Sequence, residues 1–120
     1  MDITFDNPEN LQHRSDTVIH NGLAFVSGAL ASDTSADIAG QTTQVLAQLD
    51  ERLSRAGTDK GNILSATIWL TDVDGDVATV NRAWNAWVVP GRLPARACVQ
   101  AGLQRGAKIE IALVAAVPAA

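Results

Sequence analysis

Leu93-Pro94-Ala95-Arg96-Ala97-Cys98-Val99-Gln100, then Ala107-Lys108-Ile109-Glu110-Ile111-Ala112-Leu113-Val114-Ala115, close the chain and decide its fold class. Both runs are short, apolar and rich in residues that suit strands, and Gly102 to Gly106 between them reads as a turn. The two strands are predicted over Pro94 to Ala101 and Lys108 to Val117. Successive side chains on a strand point to opposite faces. Arg96 and Cys98 therefore share one face of the first strand, and Ala95, Ala97 and Val99 the other. On the second strand, Glu110 goes with Lys108 and Ala112, while Ile109, Ile111 and Leu113 face away. If the two strands form a hairpin centred near Leu103, Arg96 and Glu110 are each seven residues from the turn and lie almost opposite one another. That places a guanidinium, a thiol and a carboxylate together among apolar neighbours. From residue types alone, an ordinary cross-strand ion pair worth ~0.2–1 kcal/mol is the simpler reading. The functional reading needs a pocket, in which Arg96 grips a carboxylate bidentately and Glu110 positions water. Cys98 is a weaker candidate nucleophile, because no histidine lies near it in sequence and small cysteines usually pack.

Moving upstream, Pro90-Gly91 ends a helix whose stripe is Val77, Val80, Trp84, Trp87 and Val88, with Asp72, Asp74, Gly75 and Asp76 forming a turn that favours its start. Ile63 to Thr71 is rich enough in apolar and β-branched residues for a buried strand. From about Asp37 to Ala56, Ile38, Thr42, Val45, Leu49 and Leu53 recur at helical spacing, with Ser35 and Asp37 as capping residues and Gly57 as the stop. Thr17 to His20 and Leu23 to Val26 flank Asn21-Gly22, a strong hairpin signal because both turn residues tolerate positive φ, and Ser27-Gly28 closes the second strand. The order is ββαβαββ, with room for a short extra strand near Ile3. Two helices on one face of a mixed, mostly antiparallel sheet make an α+β subunit, a single domain over residues 1–120. The other sheet face needs cover, and in a chain this short further copies of the chain are the expected cover.

Composition narrows the partners. The formal charge of −4, with nine scattered Lys and Arg, argues against nucleic acid, whose binders usually carry a basic face. No apolar run reaches the ~18 residues of a membrane span, and no charged-then-apolar leader opens the sequence, so neither membrane nor export is expected. One cysteine, Cys98, cannot form an internal disulfide and suits a reducing compartment, which makes a cytoplasmic location the expectation. With only His13 and His20 beside it, no tetrahedral metal site is expected.

The two closing runs resemble the C-terminal pattern of the RidA/YjgF/RutC family, a PAR-x-x-V strand followed by an (V/I)-E-I-x-x-x-A strand. Val26-Ser27-Gly28 is similar to the family's early SG element, and Thr79-Val80-Asn81-x-x-Trp84 to its second helix. The likeness runs from about Thr17 to Val117 with the elements in the same order. It implies a chorismate-mutase-like (bacillus-type) subunit and a homotrimer with clefts between subunits. It also implies a hydrolase acting on C–N bonds, a 2-iminobutanoate/2-iminopropanoate-type deaminase. Such an enzyme turns reactive 2-imino or 2-enamino acids into 2-keto acids and ammonia without metal or cofactor. By the same resemblance Arg96 holds the substrate carboxylate, and Glu110 orients the attacking water and moves protons. Cys98 lines the pocket and its backbone helps bind, while Ser27 and Asn81 line the same cleft.

The chain departs from the pattern at several points. Arg14 stands where many active members carry a cleft tyrosine, and Gly102 to Gly106 lacks the usual proline. Ala29 and Leu30 follow Gly28 without the frequent glutamine, and Ala112 replaces a second glutamate. These mark a divergent subgroup, in which Arg14 either serves a more acidic substrate or pairs with Asp16. A non-catalytic protein that captures 2-keto acids in the same cleft is the alternative function. It would need Arg96 but not Glu110.

Overall fold

Asn21 and Gly22 turn the chain at φ of 51° and 73°, the left-handed region in which Asn and Gly are least penalised, and a hairpin grows from them. Its arms are β2 (Thr17–His20) and β3 (Leu23–Leu30), with β1 (Ile3–Asp6) added antiparallel to β2. The computed structural model describes residues 1–119. After β3 come α1 (Ile38–Arg55), a short 3-10 turn at Lys60–Asn62, β4 (Ile63–Leu70), α2 (Val73–Trp87), β5 (Ala95–Gln100) and β6 (Ile109–Ala116). Asp37 caps α1 by accepting a hydrogen bond from the Gly40 N–H, and Gly57 at φ 81° lets the chain leave it. Ser35 does not cap; its hydroxyl donates to Asp33 instead. Asp72 caps α2 by accepting from the Gly75 N–H, so Asp74, Gly75 and Asp76 lie in the first helical turn rather than ahead of it.

The sheet order is β1-β2-β3-β6-β4-β5. The closing hairpin expected from the sequence does not form. β6 runs antiparallel between β3 and β4, and β5 lies at the edge, parallel to β4. Two physical reasons account for this. β4, α2 and β5 form a strand–helix–strand crossover, the connection that delivers a parallel neighbour. β6 is the strand able to fill the middle, because Ile109, Ile111, Leu113 and Ala115 are all buried beneath the helices. Apart from the β4–β5 pair, every ladder is antiparallel, and both helices cover one face.

The core lies between that face and the helices. Val45, Leu49 and Leu53 of α1 and Val80, Trp84 and Trp87 of α2 pack over Ile68, Leu70 and the inward side chains of β6. The molecule is only 19 Å in its shortest dimension, about the thickness of two packed layers. Its other sheet face is bare. Phe5, Val18, Phe25 and Val114 sit in register across β1, β2, β3 and β6, and Phe5 is 64% and Phe25 48% exposed.

Candidate functional site

Glu110 sits on β6 between Ile109 and Ile111, both buried under the helices, so its own side chain faces the opposite way. It pairs with Leu30 on one side and Trp69 on the other. The register of β3 against β6 slips between Val26 and Ala29, a bulge that contains Ser27 and Gly28. The Glu110 carboxyl fills the space above Gly28. A Cβ on that glycine would meet Glu110 Oε2 at 1.9 Å, so only a hydrogen there leaves the carboxylate its place. This gives the SG element a physical meaning.

Beyond the bulge β3 has no neighbour on its outer side, since β2 stops at Thr17, opposite Val26. Helix α1 supplies the missing donors. Arg52 Nη1 donates to the Ser27 carbonyl at 2.9 Å, and Gln48 Nε2 to the Leu30 carbonyl at 2.7 Å. Ser27 Oγ donates to the Ser15 carbonyl at 2.7 Å, which ties the strand to the loop before β2. Gln41, fully buried, accepts from the Lys108 N–H and donates to the Thr34, Ala36 and Gly106 carbonyls, so it holds the base of β6 against the loop after β3. Helical periodicity marks apolar stripes, and it passed over Gln41 and Arg52 although both are buried. The signal available was the run of strand carbonyls left without a partner once β2 ends.

The result is a cleft of about 370 Å³ lined by Glu110, Gly28, Ser27, Arg14, Arg52 and Gln104. A second cavity of about 580 Å³ opens beside it and shares Arg14, Leu30, Gln48 and Arg52. Asp16 lies where loop and helix meet, bonded by Arg14 Nη1 on one carboxylate oxygen and by Arg55 Nη2 at 2.8 Å on the other, with Arg52 Nη2 at 3.6 Å. Burial works to raise the Asp16 pKa, but the Arg14 hydrogen bond and the charges of Arg52, Arg14 and Arg55 outweigh it and leave it below its ordinary value. Burial pushes the Arg52 guanidinium down, against the pull of Asp16.

Arg96, Cys98 and Asn81 are elsewhere. Arg96 pairs with Ala66 and Cys98 with Ile68, both inward residues of β4, so these side chains lie on the helical face of the edge strand. The Arg96 guanidinium stands 5.7 Å from the centroid of the Trp84 ring, and Cys98 packs against the rim of the core. Asn81 is on α2 one turn before Trp84, and its Oδ1 is buried without a hydrogen-bond partner. The expected Arg96–Glu110 proximity is therefore wrong within one chain. β4 separates the two residues, their partners on it are three positions apart, and they face opposite sides of the sheet. The spacing is on the order of 14 Å. Of the six candidate residues, Ser27, Arg14 and Glu110 lie around the cleft, Arg96 and Cys98 on the β5 edge, and Asn81 on helix α2.

Residues 4–117 match the family model described as Endoribonuclease L-PSP. The RutC family protein YoaB of Escherichia coli K12 is 47% identical over 104 residues, covering 86% of this chain and 90% of that protein. The chain belongs to the RidA/YjgF/RutC family. A crystal structure of NMB1025, a YjgF family member from Neisseria meningitidis, superposes with a TM-score of 0.93 at 42% identity, covering 100% of this chain and 98% of the other. A 2-iminobutanoate/2-iminopropanoate deaminase of Rattus norvegicus is 35% identical over 108 residues, covering 84% of this chain and 77% of the relative. RidA/YjgF/RutC membership brings the chorismate-mutase-like fold with it, and the sheet order and paired helices described above are that fold in this chain. No helix among the described residues is long and apolar enough to cross a membrane.

Proposed function

We propose that this protein hydrolyses 2-imino or 2-enamino acids to 2-keto acids and ammonia, at sites built from two copies of the chain in a cytoplasmic homotrimer. The observation that carries this reading is the division of the site. A carboxylate is held over Gly28 at one end of the sheet, and a guanidinium stands on the bare edge strand at the other. Joining the β5 edge of one copy to the cleft of the next is a head-to-tail contact, and such contacts close into rings when the rotation allows. The exposed row of Phe5 and Phe25 gives that ring an apolar interior. The rat relative, a deaminase by name, supports the reaction class.

The chemistry asks little of the protein, because imines already hydrolyse in water. Arg96 of one copy holds the substrate carboxylate through its fork of donors. Glu110 of the neighbour orients a water against the imine carbon and accepts its proton as the C–O bond forms and the C=N π electrons move to nitrogen. That proton passes to nitrogen to give the carbinolamine, and Glu110 then carries the hydroxyl proton to the same nitrogen as the C=O bond forms and the C–N bond breaks, releasing ammonia and the keto acid. Ser27 and Asn81 shape the two walls, and Cys98 fills the floor beside Arg96.

Semicarbazide trapping of imines made in situ by an amino-acid oxidase tests this directly. Wild type should deplete the trapped imine; Arg96→Ala and Glu110→Gln should not. Mixed trimers of those two inactive variants should regain about a quarter of wild-type turnover, since one interface in four pairs an intact Arg96 with an intact neighbouring Glu110. Retained keto-acid binding with no turnover in any sample would replace the enzyme by a metabolite-capture protein. Mixed assemblies that stay inactive would refute the two-copy site.

A further inference from the structure

Arg14 is a charged cleft residue that the reaction leaves unused. Arg14 lines both the Glu110 cleft and the larger cavity beside it, and its side chain is 34% exposed, so it is accessible to a bound molecule. Guanidinium offers five donors, and the one hydrogen bond Arg14 makes among the described residues is from Nη1 to Asp16. That carboxylate is shared. Asp16 also takes Arg55 at 2.8 Å and faces Arg52 at 3.6 Å, so two cleft arginines share one acid that a third arginine already holds. The other acids nearby are arranged differently. Asp6 and Glu51 bond Arg55, and Glu9 lines only the outer cavity. Inside the smaller cleft, Glu110 is the one acid among the described lining residues, which include Arg14 and Arg52. A cleft meant only for a short apolar side chain has no use for an exposed guanidinium beside its water-positioning carboxylate.

We infer that Arg14 is a specificity residue that takes a second carboxylate, so that the preferred substrates are 2-imino dicarboxylates. The inference rests on the deaminase reading. The α-carboxylate goes to Arg96 of the adjoining copy, the imine carbon comes to the water on Glu110, and the side-chain carboxylate extends along the cleft toward Arg14. Buried Arg52 adds its charge from behind while it remains tied to the Ser27 carbonyl. Asp16 keeps Arg55 when Arg14 turns to the substrate, so the loop loses one ion pair and not its anchor.

The test compares two five-carbon acids that differ only at the far end. Imines are generated from glutamate and norvaline, and binding is measured calorimetrically with their stable keto acids, 2-oxoglutarate and 2-oxopentanoate. Wild type should favour the dicarboxylate by at least about tenfold in kcat/KM and in affinity, the size of one charge-assisted contact. Arg14→Gln should cut that ratio by about tenfold, and Arg14→Lys should restore part of it. Equal handling of both imines by wild type and Arg14→Gln would overturn the inference and leave the deaminase intact. If neither imine is consumed the deaminase reading fails, and the ratio of keto-acid affinities still decides the role of Arg14. An Arg14→Gln protein that disassembles with its ratio unchanged would make Arg14 an interface residue and also overturn the inference.

Discussion

The two ends of the sheet are built on opposite plans. At the β3 end the Ser27 and Leu30 carbonyls each take a donor from α1, and the loop before β2 is pinned through Ser27 and Asp16. At the β5 end the strand has one neighbour, Val99 is 45% exposed, and Arg96 is exposed with its guanidinium over the Trp84 ring. On the deaminase reading the chain completes one half of a site by itself and presents the other half as an unsupported edge. Functional residues on a bare edge carry little of the chain's own stability, whereas those in the cleft hold the fold together.

The largest effect should come from Arg96→Ala. Loss of the carboxylate anchor is expected to lower kcat/KM by on the order of a hundredfold or more, while the unfolding free energy stays within about 0.5–1 kcal/mol of wild type. A large loss of stability would show that the β5 edge is not independent. Arg52→Ala should behave in the opposite manner. Its side chain is 8% exposed, and removal leaves the Ser27 carbonyl without its donor and strips Asp16 of a buried cation. A destabilisation of about 2–4 kcal/mol in urea unfolding is expected.

Gly28→Ala sharpens the contrast, because it moves a carboxylate without deleting it. The added methyl displaces the Glu110 carboxyl, the free end of a flexible side chain, so turnover should fall about tenfold to a hundredfold with a stability change of roughly 1 kcal/mol. Matching losses in both measurements would mean that the bulge itself had collapsed.

The smallest effect is the pH response of the Asp16 cluster. Its folded-state pKa lies below the ordinary 3.8, so its pairing contributes stability above that value. The contribution fades as pH falls from about 4 through the lowered folded-state value. Asp16→Asn should flatten acid unfolding in that window, and urea titrations from pH 5 down to 2.5 measure it. An unchanged slope would remove Asp16 from the acid response.

The fold was legible wherever local chemistry dictates geometry. Asn21-Gly22 specified its hairpin, Asp37 and Gly57 bounded α1, and the alternation of β6 named its buried face. What a strand's own residues do not encode is which strand lies next to it. Counting from Leu103 placed Arg96 opposite Glu110 only because consecutive strands were assumed to pair. The α2 crossover decided otherwise, by setting β5 parallel to β4. The candidate residues were named by type and by family pattern, and their separation in one chain was not foreseen, because it follows from sheet order. Arg52, Gln41 and Gln48 were missed for a related reason: their roles are set by carbonyls far away in sequence, on the end of β3 and in the loops beside β6.

The 19 Å plate with Phe25 on its uncovered side has a consequence for how the protein is handled. On the trimer reading, folding and association are one equilibrium, so the unfolding midpoint depends on how much protein is in the tube and should rise with it. Dilution then lowers activity per molecule and uncovers the aromatic row at the same time. Specific activity, adhesion to surfaces and loss of signal at low concentration should therefore share a single threshold.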